Sequence, residues 1–170
     1  QEMKTGRDLI RLAAMLHDVG KVGIPDHILK KPSSLTNEEF DVLKMHTVFG
    51  GRLFANQTSP LDVMSMEIAV HHHEKWNGSG YPGALGDEAS AGGNGLRASG
   101  TGIPLAARIV ALADVYDALR SQRAYKEAWS EQQVLDKLRM ESGRHFDPEL
   151  VDIFLDIYRV IQAIEAKFKD

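Results

Sequence analysis

A chain of 170 residues, 43% of them hydrophobic, is long enough to bury one substantial core, so we expect a single domain. It contains no cysteine, which excludes disulfides and thiolate metal ligands and fits a reducing compartment. A formal net charge of −4 argues against binding to nucleic-acid polymers or anionic membranes, which usually select a basic face. We recognise neither a signal peptide nor a membrane-spanning run, and we therefore expect a cytoplasmic protein without membrane contact.

Apolar residues recur at helical spacing along almost the whole chain, and no alternating pattern demands a sheet. Helix starts are marked by capping boxes at Thr36 and Ser130 and by the prolines Pro60, Pro104 and Pro148. We predict an all-α fold, a bundle of about six to seven helices. The predicted helices lie near 6–19, 36–55, 60–73, 104–121, 130–141 and 147–168.

One segment departs from this pattern, because nine of the fifteen glycines fall within residues 77–102. It has little to bury, and a connection of this length in a compact domain is often an active-site lid or a disordered insertion. Its position directly after a run of histidines favours the lid, and the insertion remains the alternative.

His17 and Asp18 adjoin at the predicted end of the first helix, where Gly20 can stop the helix and leave both side chains facing a cleft. A carboxylate has two oxygens and can bridge two cations, whereas each imidazole nitrogen serves one. Asp18 is therefore the candidate bridging ligand. The alternative is a helix terminus at which both side chains only satisfy backbone groups.

Three adjacent histidines, His71, His72 and His73, end the predicted third helix. They cannot all face the core, and burying an imidazole without a partner is costly. Consecutive helical side chains diverge by ~100°, so only part of the triplet can converge on one point. We predict that two of the three bind metal, the alternative being an exposed histidine patch. By spacing alone, His46 on the preceding helix is more often a surface or boundary residue.

Asp114 lies among small and apolar residues of a helix that should be largely buried, so its carboxylate needs a partner. Asp117 follows one turn later, and the cations Arg120, Arg123 and Lys126 come next. The alternative to a functional role is an intrahelical ladder of ion pairs. This alternative explains Arg120 well but explains Asp114 poorly. Imidazoles and carboxylates without thiolates indicate a hydrolytic metal site.

Together these motifs resemble the HD-GYP subgroup of the HD-domain metal-dependent phosphohydrolases, and the match covers nearly the whole chain. The residues that carry the resemblance are His17-Asp18-Val19-Gly20-Lys21, Ile24-Pro25, Ile28-Leu29, Lys44-Met45-His46, Gly50, residues 72–82 with Gly80-Tyr81-Pro82, Ile103-Pro104, Ala107-Arg108-Ile109, residues 113–119, Arg123, Tyr125, Lys126 and Phe146-Asp147-Pro148.

The resemblance implies a phosphodiesterase with two or three divalent transition-metal ions, usually iron or manganese. It would hydrolyse a cyclic dinucleotide, chiefly cyclic di-GMP, to linear dinucleotide and GMP in bacterial signalling. The implied metal ligands are His17, Asp18, His46, His72, His73 and Asp114. The implied catalytic residues are Asp18 and Lys21, and the implied substrate-binding residues are Lys21, Gly80, Tyr81, Pro82, Asp117, Arg123 and Lys126. His71 lies outside the motif.

The chain departs from the family pattern in three places. Members usually carry a further histidine ligand on an upstream helix, whereas here only sixteen residues precede His17. Arg120 stands where threonine is common, and Ala124 replaces a frequent proline. The connection between Pro82 and Ile103 is longer than usual.

We expect residues 1–170 to form a single HD-GYP catalytic domain, a fragment without that upstream helix and without the sensor or receiver domain that members often carry. The sequence leaves a homodimer open. The alternative function is a catalytically weak sensor or interaction module that binds nucleotide or signalling partners, which the missing ligand and Arg120 favour. A general HD-domain nucleotidase is disfavoured by Gly80-Tyr81-Pro82 and by the 108–126 segment.

Overall fold

The computed structural model describes residues 2–56, 58–84, 98–121 and 129–167, and for residues 2–5 and 165 it describes the backbone only. Within these ranges eight α-helices are bounded and no strand is present, which confirms the predicted all-α class. The helices are α1 (Glu2–Ala14), α2 (Asp26–Leu29), α3 (Asn37–Phe54), α4 (Pro60–His71), α5 (Leu105–Arg120), α6 (Glu131–Glu141), α7 (Pro148–Asp156) and α8 (Tyr158–Glu165). Short 3₁₀ helices cover Val19–Gly23 and Gly100–Gly102.

The capping signals in the sequence are confirmed at four helices. Thr36 and Ser130 each form a complete capping box, with the side chain three residues later reaching back to the cap backbone. Ser59 and Asp147 cap α4 and α7, and each is followed by proline in the first helical turn. These starts depend on neighbouring residues alone, so a local pattern is sufficient to find them.

Two predicted helices differ from the structure. The first ends at Ala14 rather than near residue 19, because the chain tightens there into turns such as the bond from the His17 amide to the Ala14 carbonyl. The prediction that Gly20 stops this helix is wrong, since Gly20 lies buried inside the following 3₁₀ helix. The last predicted helix is divided at Ile157, whose φ of −94° and ψ of 7° leave the helical region. Apolar spacing continues across that break and does not reveal it.

Buried apolar side chains gather in three clusters that join the helices. One holds α1, α4 and α5 together, and a small one lies between α3 and α4. The largest joins α5 to α6, α7 and α8. Their fully or nearly buried members are Ala13, Ile68 and Val110; Val48 and Val70; and Leu112, Tyr116, Val134, Leu138, Phe146, Val151 and Tyr158.

Helices α4 and α5 are therefore central. Helix α4 packs against α1, α3 and α5, and the 3₁₀ helix Val19–Gly23 packs against α3, which brings the histidine-bearing segments together. None of the described helices is long and apolar enough to cross a membrane. The predicted lid falls largely on residues 85–97, outside the described residues, and stays a prediction.

Candidate metal centre

Three histidines, His17, His46 and His72, are anchored to the backbone in the same way. Each has its Nδ1 within hydrogen-bonding distance of a carbonyl oxygen three or four residues earlier in the chain. Nδ1 of His17 lies 2.7 Å from the Ala14 carbonyl oxygen, and Nδ1 of His46 lies 2.7 Å from that of Leu43. Nδ1 of His72 lies 3.0 Å from the carbonyl oxygen of Ile68 and 3.1 Å from that of Ala69. A carbonyl only accepts, so Nδ1 carries a proton in all three, and in the neutral imidazoles of His46 and His72 Nε2 presents a lone pair. Metal-binding histidines are oriented by bonds of this kind.

The two carboxylate oxygens of Asp18 face different groups. Oδ1 lies 3.4 Å from Nε2 of His46 and 3.9 Å from Nε2 of His72. Oδ2 lies 3.3 Å from Nε2 of His17 and 2.5 Å from Nζ of Lys21. Each oxygen of Asp18 thus has its own nitrogen neighbours, and the bridging role stays a prediction.

Three of these atoms, Oδ1 of Asp18 and Nε2 of His46 and His72, are buried without a hydrogen-bond partner among the described residues. Burying acceptors that face each other is unfavourable unless a cation lies between them. Donor atoms of these residues and of His73 all lie within 4.8 Å of one another. Imidazole and carboxylate donors suit divalent transition metals, so the cluster fits a metal ion.

A second group of donors adjoins this cluster through His17. Its Nε2 lies 4.0 Å from Oδ1 of Asp114, which is partly buried on α5. The rings of His17 and His72 meet edge to face at 5.1 Å. The structure thus brings all six predicted metal ligands into one region. His71, which the sequence placed outside the motif, is not part of the four-residue donor cluster.

Burial keeps most of these imidazoles neutral. It lowers the pKa of His72 to about 4 and also lowers the pKa of His46 and of His73. For Asp18, burial opposes ionisation, but hydrogen bonds from His17 and Lys21 outweigh it and hold the carboxyl pKa well below its usual range. The hydrogen bond with Asp18 raises the pKa of His17. Near neutral pH the carboxylate is ionised and the buried histidines are neutral, as metal ligands must be.

The predicted signature turn, Gly80-Tyr81-Pro82, packs directly on the cluster. The Tyr81 ring lies 4.7 Å from the His73 ring, and its amide donates to the His73 carbonyl at 3.2 Å. A Cβ at Gly80 would lie 2.5 Å from the same carbonyl oxygen and 2.3 Å from the Lys75 nitrogen. Only glycine fits where the turn folds back so closely.

Glu74 is a buried residue to which sequence reasoning assigned no role. Its side chain is 2% exposed, and Oε1 accepts a hydrogen bond from the Gly83 amide at 2.6 Å. Farther along the turn, the amide of Trp76 donates to the His145 carbonyl. The signal available in the sequence was an acidic residue directly after three histidines. In the structure, the Glu74 side chain holds the two ends of the turn together through its bond with Gly83.

A buried ion pair supports the same turn from the other side. Arg108 on α5 binds Asp147, and its guanidinium lies 5.7 Å from the centroid of the Trp76 ring. Both residues carried the family resemblance, but neither was given a role from the sequence. Their separation of 39 positions is why no local pattern could pair them.

The remaining predicted substrate residues are placed as follows. Lys21 pairs with Asp18 and is partly exposed. Asp117 is exposed one turn after Asp114, with Ser121 Oγ 3.4 Å from its carboxylate. Arg123 and Lys126 lie outside the described residues.

The family comparison agrees with this geometry. A model of the HD domain matches residues 3–150. The chain belongs to the HD-domain family. The curated relatives of this HD domain include a protein of Vibrio cholerae named cyclic di-GMP phosphodiesterase, 46% identical over 168 residues. The predicted HD-GYP membership is confirmed.

Two further relatives carry related names. A 3′3′-cGAMP-specific phosphodiesterase of Vibrio cholerae is 40% identical over 163 residues, and a cyclic di-GMP phosphodiesterase response regulator of Xanthomonas campestris is 45% identical over 160 residues. The alignments with the three relatives cover 96%, 96% and 94% of this chain, but only 32%, 29% and 39% of the relatives. The HD domain thus spans about a third of the length of these relatives.

Proposed function

We propose that this HD domain is a metal-dependent phosphodiesterase that hydrolyses a cyclic dinucleotide, cyclic di-GMP or 3′3′-cGAMP, to a linear product. One observation carries the proposal. The two oxygens of Asp18 face two sets of donors, and three of the histidines in these sets, His17, His46 and His72, are anchored through Nδ1 with Nε2 turned toward Asp18. Such an arrangement supports a pair of divalent cations sharing one carboxylate. The names of the relatives support the choice of substrate class.

The ligands divide into two sets around Asp18. His46, His72 and His73 would hold one cation with Oδ1, and His17 and Asp114 would hold a second with Oδ2. Iron or manganese suits these donors. When bound, such cations supply charge that stabilises the phosphodiester's developing negative charge and lowers the pKa of water.

Lys21 supplies a further positive charge at the edge of the cluster. Its ammonium is 2.5 Å from Oδ2 of Asp18, and 43% of the side chain is exposed. From there it can donate to a non-bridging phosphate oxygen or to the leaving 3′-oxygen. We therefore assign to Lys21 the neutralisation of charge on the substrate.

Tyr81 covers the outer side of His73 and offers a neutral donor. Burial, reinforced by the negative charges of Asp18 and Asp114, raises the pKa of its hydroxyl. The hydroxyl thus keeps its proton throughout the neutral range and can donate to a phosphate oxygen. Gly80 and Pro82 shape the turn that presents it.

Arg123 and Lys126 complete the proposed phosphate contacts, and Asp117 the proposed substrate contacts. In the longer proteins of this family, we propose that the domain is joined to a sensor or receiver domain. The short share of each relative that this chain covers supports that arrangement.

The test compares wild type with Asp18→Asn, which keeps the shape of the side chain but removes its charge. Both proteins are loaded anaerobically with ferrous iron or with manganese, given cyclic di-GMP or 3′3′-cGAMP, and their products are separated by chromatography. Wild type should release linear dinucleotide, and the variant should be slower by at least about 100-fold. Nucleotide binding should persist in the variant, since the phosphate contacts remain.

Asp26→Asn is the matched control, because Asp26 is exposed and its carboxylate forms a surface ion pair with Lys30 at 2.6 Å. It should hydrolyse at the wild-type rate. If metal-loaded wild type binds either nucleotide but forms no linear product, the phosphodiesterase proposal fails and the sensor alternative replaces it.

A further inference from the structure

Phe40 is a large aromatic residue exposed beside the candidate metal centre. It lies on α3 with 42% of its surface accessible. Its ring meets the Tyr81 ring edge to face at 6.1 Å, and the Tyr81 ring lies 4.7 Å from that of His73. Two ring contacts thus connect Phe40 to a proposed metal ligand. An exposed aromatic face at this place can stack on a planar part of a bound substrate.

Lys44 lies one helical turn after Phe40 and brings a cation to the same place. Its Nζ is 4.7 Å from the Phe40 ring centroid and 2.7 Å from Oδ1 of Asp41. The ammonium lies over one face of the Phe40 ring, and because the lysine stem is flexible, it can turn off that face to reach the edge of a base stacked on the ring. Guanine presents two acceptors there, O6 and N7, whereas adenine presents N7 beside an amino donor. A lysine at this edge therefore favours guanine.

We propose that Phe40 and Lys44 form a purine subsite, in which Phe40 stacks on a guanine of the cyclic dinucleotide and Lys44 donates to its O6 and N7. The inference rests on the proposed function, because it takes the phosphodiester of the same molecule to lie on the histidine and aspartate cluster. It adds the residues that select the base, which the metal cluster itself cannot do.

The ordinary alternative is a surface pair on a helix, since phenylalanine and lysine four positions apart touch routinely. Exposure alone does not decide between the two, because Val42 on the same helix is 40% exposed. What distinguishes Phe40 is the contact with Tyr81, the residue that lies directly on His73. Val42 has nearly the same exposure without a described ring contact, and it is the matched control.

The first experiment measures steady-state hydrolysis of cyclic di-GMP and of bis(p-nitrophenyl) phosphate, a phosphodiester without a purine. Phe40→Ala and Phe40→Leu should each raise KM for cyclic di-GMP on the order of tenfold, equivalent to about 1.4 kcal/mol. Phe40→Trp should restore a KM within about twofold of wild type, because it keeps a stacking face. Val42→Ala should match wild type on both substrates.

The leucine variant guards against a simple packing effect, since it keeps an apolar contact for Tyr81 but has no aromatic face. The loss with cyclic di-GMP should clearly exceed the loss with bis(p-nitrophenyl) phosphate. Equal losses on both substrates would mean a distorted site and would overturn the inference. An unchanged KM for cyclic di-GMP in both the alanine and leucine variants would overturn it as well.

The second experiment concerns Lys44 and uses cyclic di-GMP and cyclic di-AMP as inhibitors of bis(p-nitrophenyl) phosphate hydrolysis. Lys44→Met should weaken inhibition by cyclic di-GMP on the order of tenfold and inhibition by cyclic di-AMP by less than about threefold. Equal weakening would show a general charge effect and would overturn the role assigned to Lys44.

The outcomes also separate this inference from the proposed function. If wild type cleaves cyclic di-GMP and the Phe40 variants match it, only the subsite is wrong. If wild type cleaves bis(p-nitrophenyl) phosphate but neither cleaves nor is inhibited by cyclic di-GMP, the proposed substrate is wrong and the subsite falls with it.

Discussion

Gly20 lies directly against the carbonyl group of His46, so closely that a Cβ at Gly20 would stand 1.9 Å from that oxygen. The same Cβ would lie 2.3 Å from the Gly50 nitrogen. The 3₁₀ segment and α3 therefore touch backbone to backbone. This contact brings Asp18 within 3.4 Å of the His46 imidazole, so the missing side chain at residue 20 sets the spacing of two proposed ligands.

We predict that Gly20→Ala lowers both stability and metal content, because backbone atoms cannot yield as a flexible side chain does. The free energy of unfolding should fall by about 1–3 kcal/mol, measured by urea denaturation, with metal measured by elemental analysis. Gly6→Ala is the control, since Gly6 lies in α1 and a methyl group added there would meet no described atom within 4 Å. The free energy of unfolding of Gly6→Ala should rise by up to about 1 kcal/mol, because alanine is favoured over glycine inside a helix. Unchanged stability and metal content in Gly20→Ala would contradict the prediction.

Removing a proposed ligand should lower bound metal and activity together. His72→Ala and Asp114→Ala each open the coordination sphere, and we expect metal affinity to fall by at least about tenfold in each. Metal titration and product chromatography measure the two effects. His27→Ala changes an exposed residue and should retain metal affinity and activity. His71→Ala should lower them only slightly. Full metal content and full rate in both ligand variants would refute the assignment.

Arg123 and Lys126 are predicted to hold substrate phosphate rather than metal. Arg123→Ala and Lys126→Ala should each weaken cyclic dinucleotide binding by about 1.5–3 kcal/mol, the strength of a charge-assisted hydrogen bond. Metal content should stay at the wild-type level. Calorimetric titration with cyclic di-GMP provides the measurement. An unchanged affinity in the double variant would place both cations in an intrahelical ion-pair ladder instead.

The pH dependence of stability should include a contribution from His145. Burial, with the nearby charge of Lys75, lowers its pKa from 6.5 to about 4. Between these values the unfolded chain binds the proton and the folded chain does not, so stability is full above the unfolded pKa and falls as the pH drops toward 4. Allowing for solvent screening, we expect this residue to account for at most about 2 kcal/mol.

Urea denaturation with a chelator present, near pH 7 and near pH 4.5, measures the effect. His145→Gln should lose less stability on acidification than wild type, because the variant has no imidazole to protonate. His27→Gln serves as the exposed control and should follow wild type. An equal loss in wild type and His145→Gln would show that other groups determine the acid sensitivity.

The sequence was most informative where a property depends on near neighbours. The caps at Thr36 and Ser130 need only the next three residues, and both were predicted correctly. The end of α1 at Ala14 was missed, because the turns that follow it, such as the bond from the His17 amide to the Ala14 carbonyl, leave no mark in the apolar spacing.

The candidate site could likewise be predicted only in part from the sequence. Its donor residues could be named from motifs, but the orientation of the imidazoles depends on carbonyl groups, such as that of Leu43 for His46, which any residue can supply. Glu74 and the Arg108–Asp147 pair act across turns and long sequence separations. Such contacts exist only once the chain has folded, and a single sequence cannot state them.

The turn after the histidines has a further consequence for how this domain tolerates changes in chain length. Gly83 is bound to the Glu74 carboxylate at 2.6 Å, and the Gly100 amide to the Trp76 carbonyl at 2.8 Å. Both ends of the glycine-rich connection are thus tied to neighbouring residues of one turn. The entropy cost of closing a chain segment between two fixed points grows slowly with its length, by about 0.6 kcal/mol for each doubling. Insertions and deletions can therefore accumulate in this connection during evolution while the histidines stay in register.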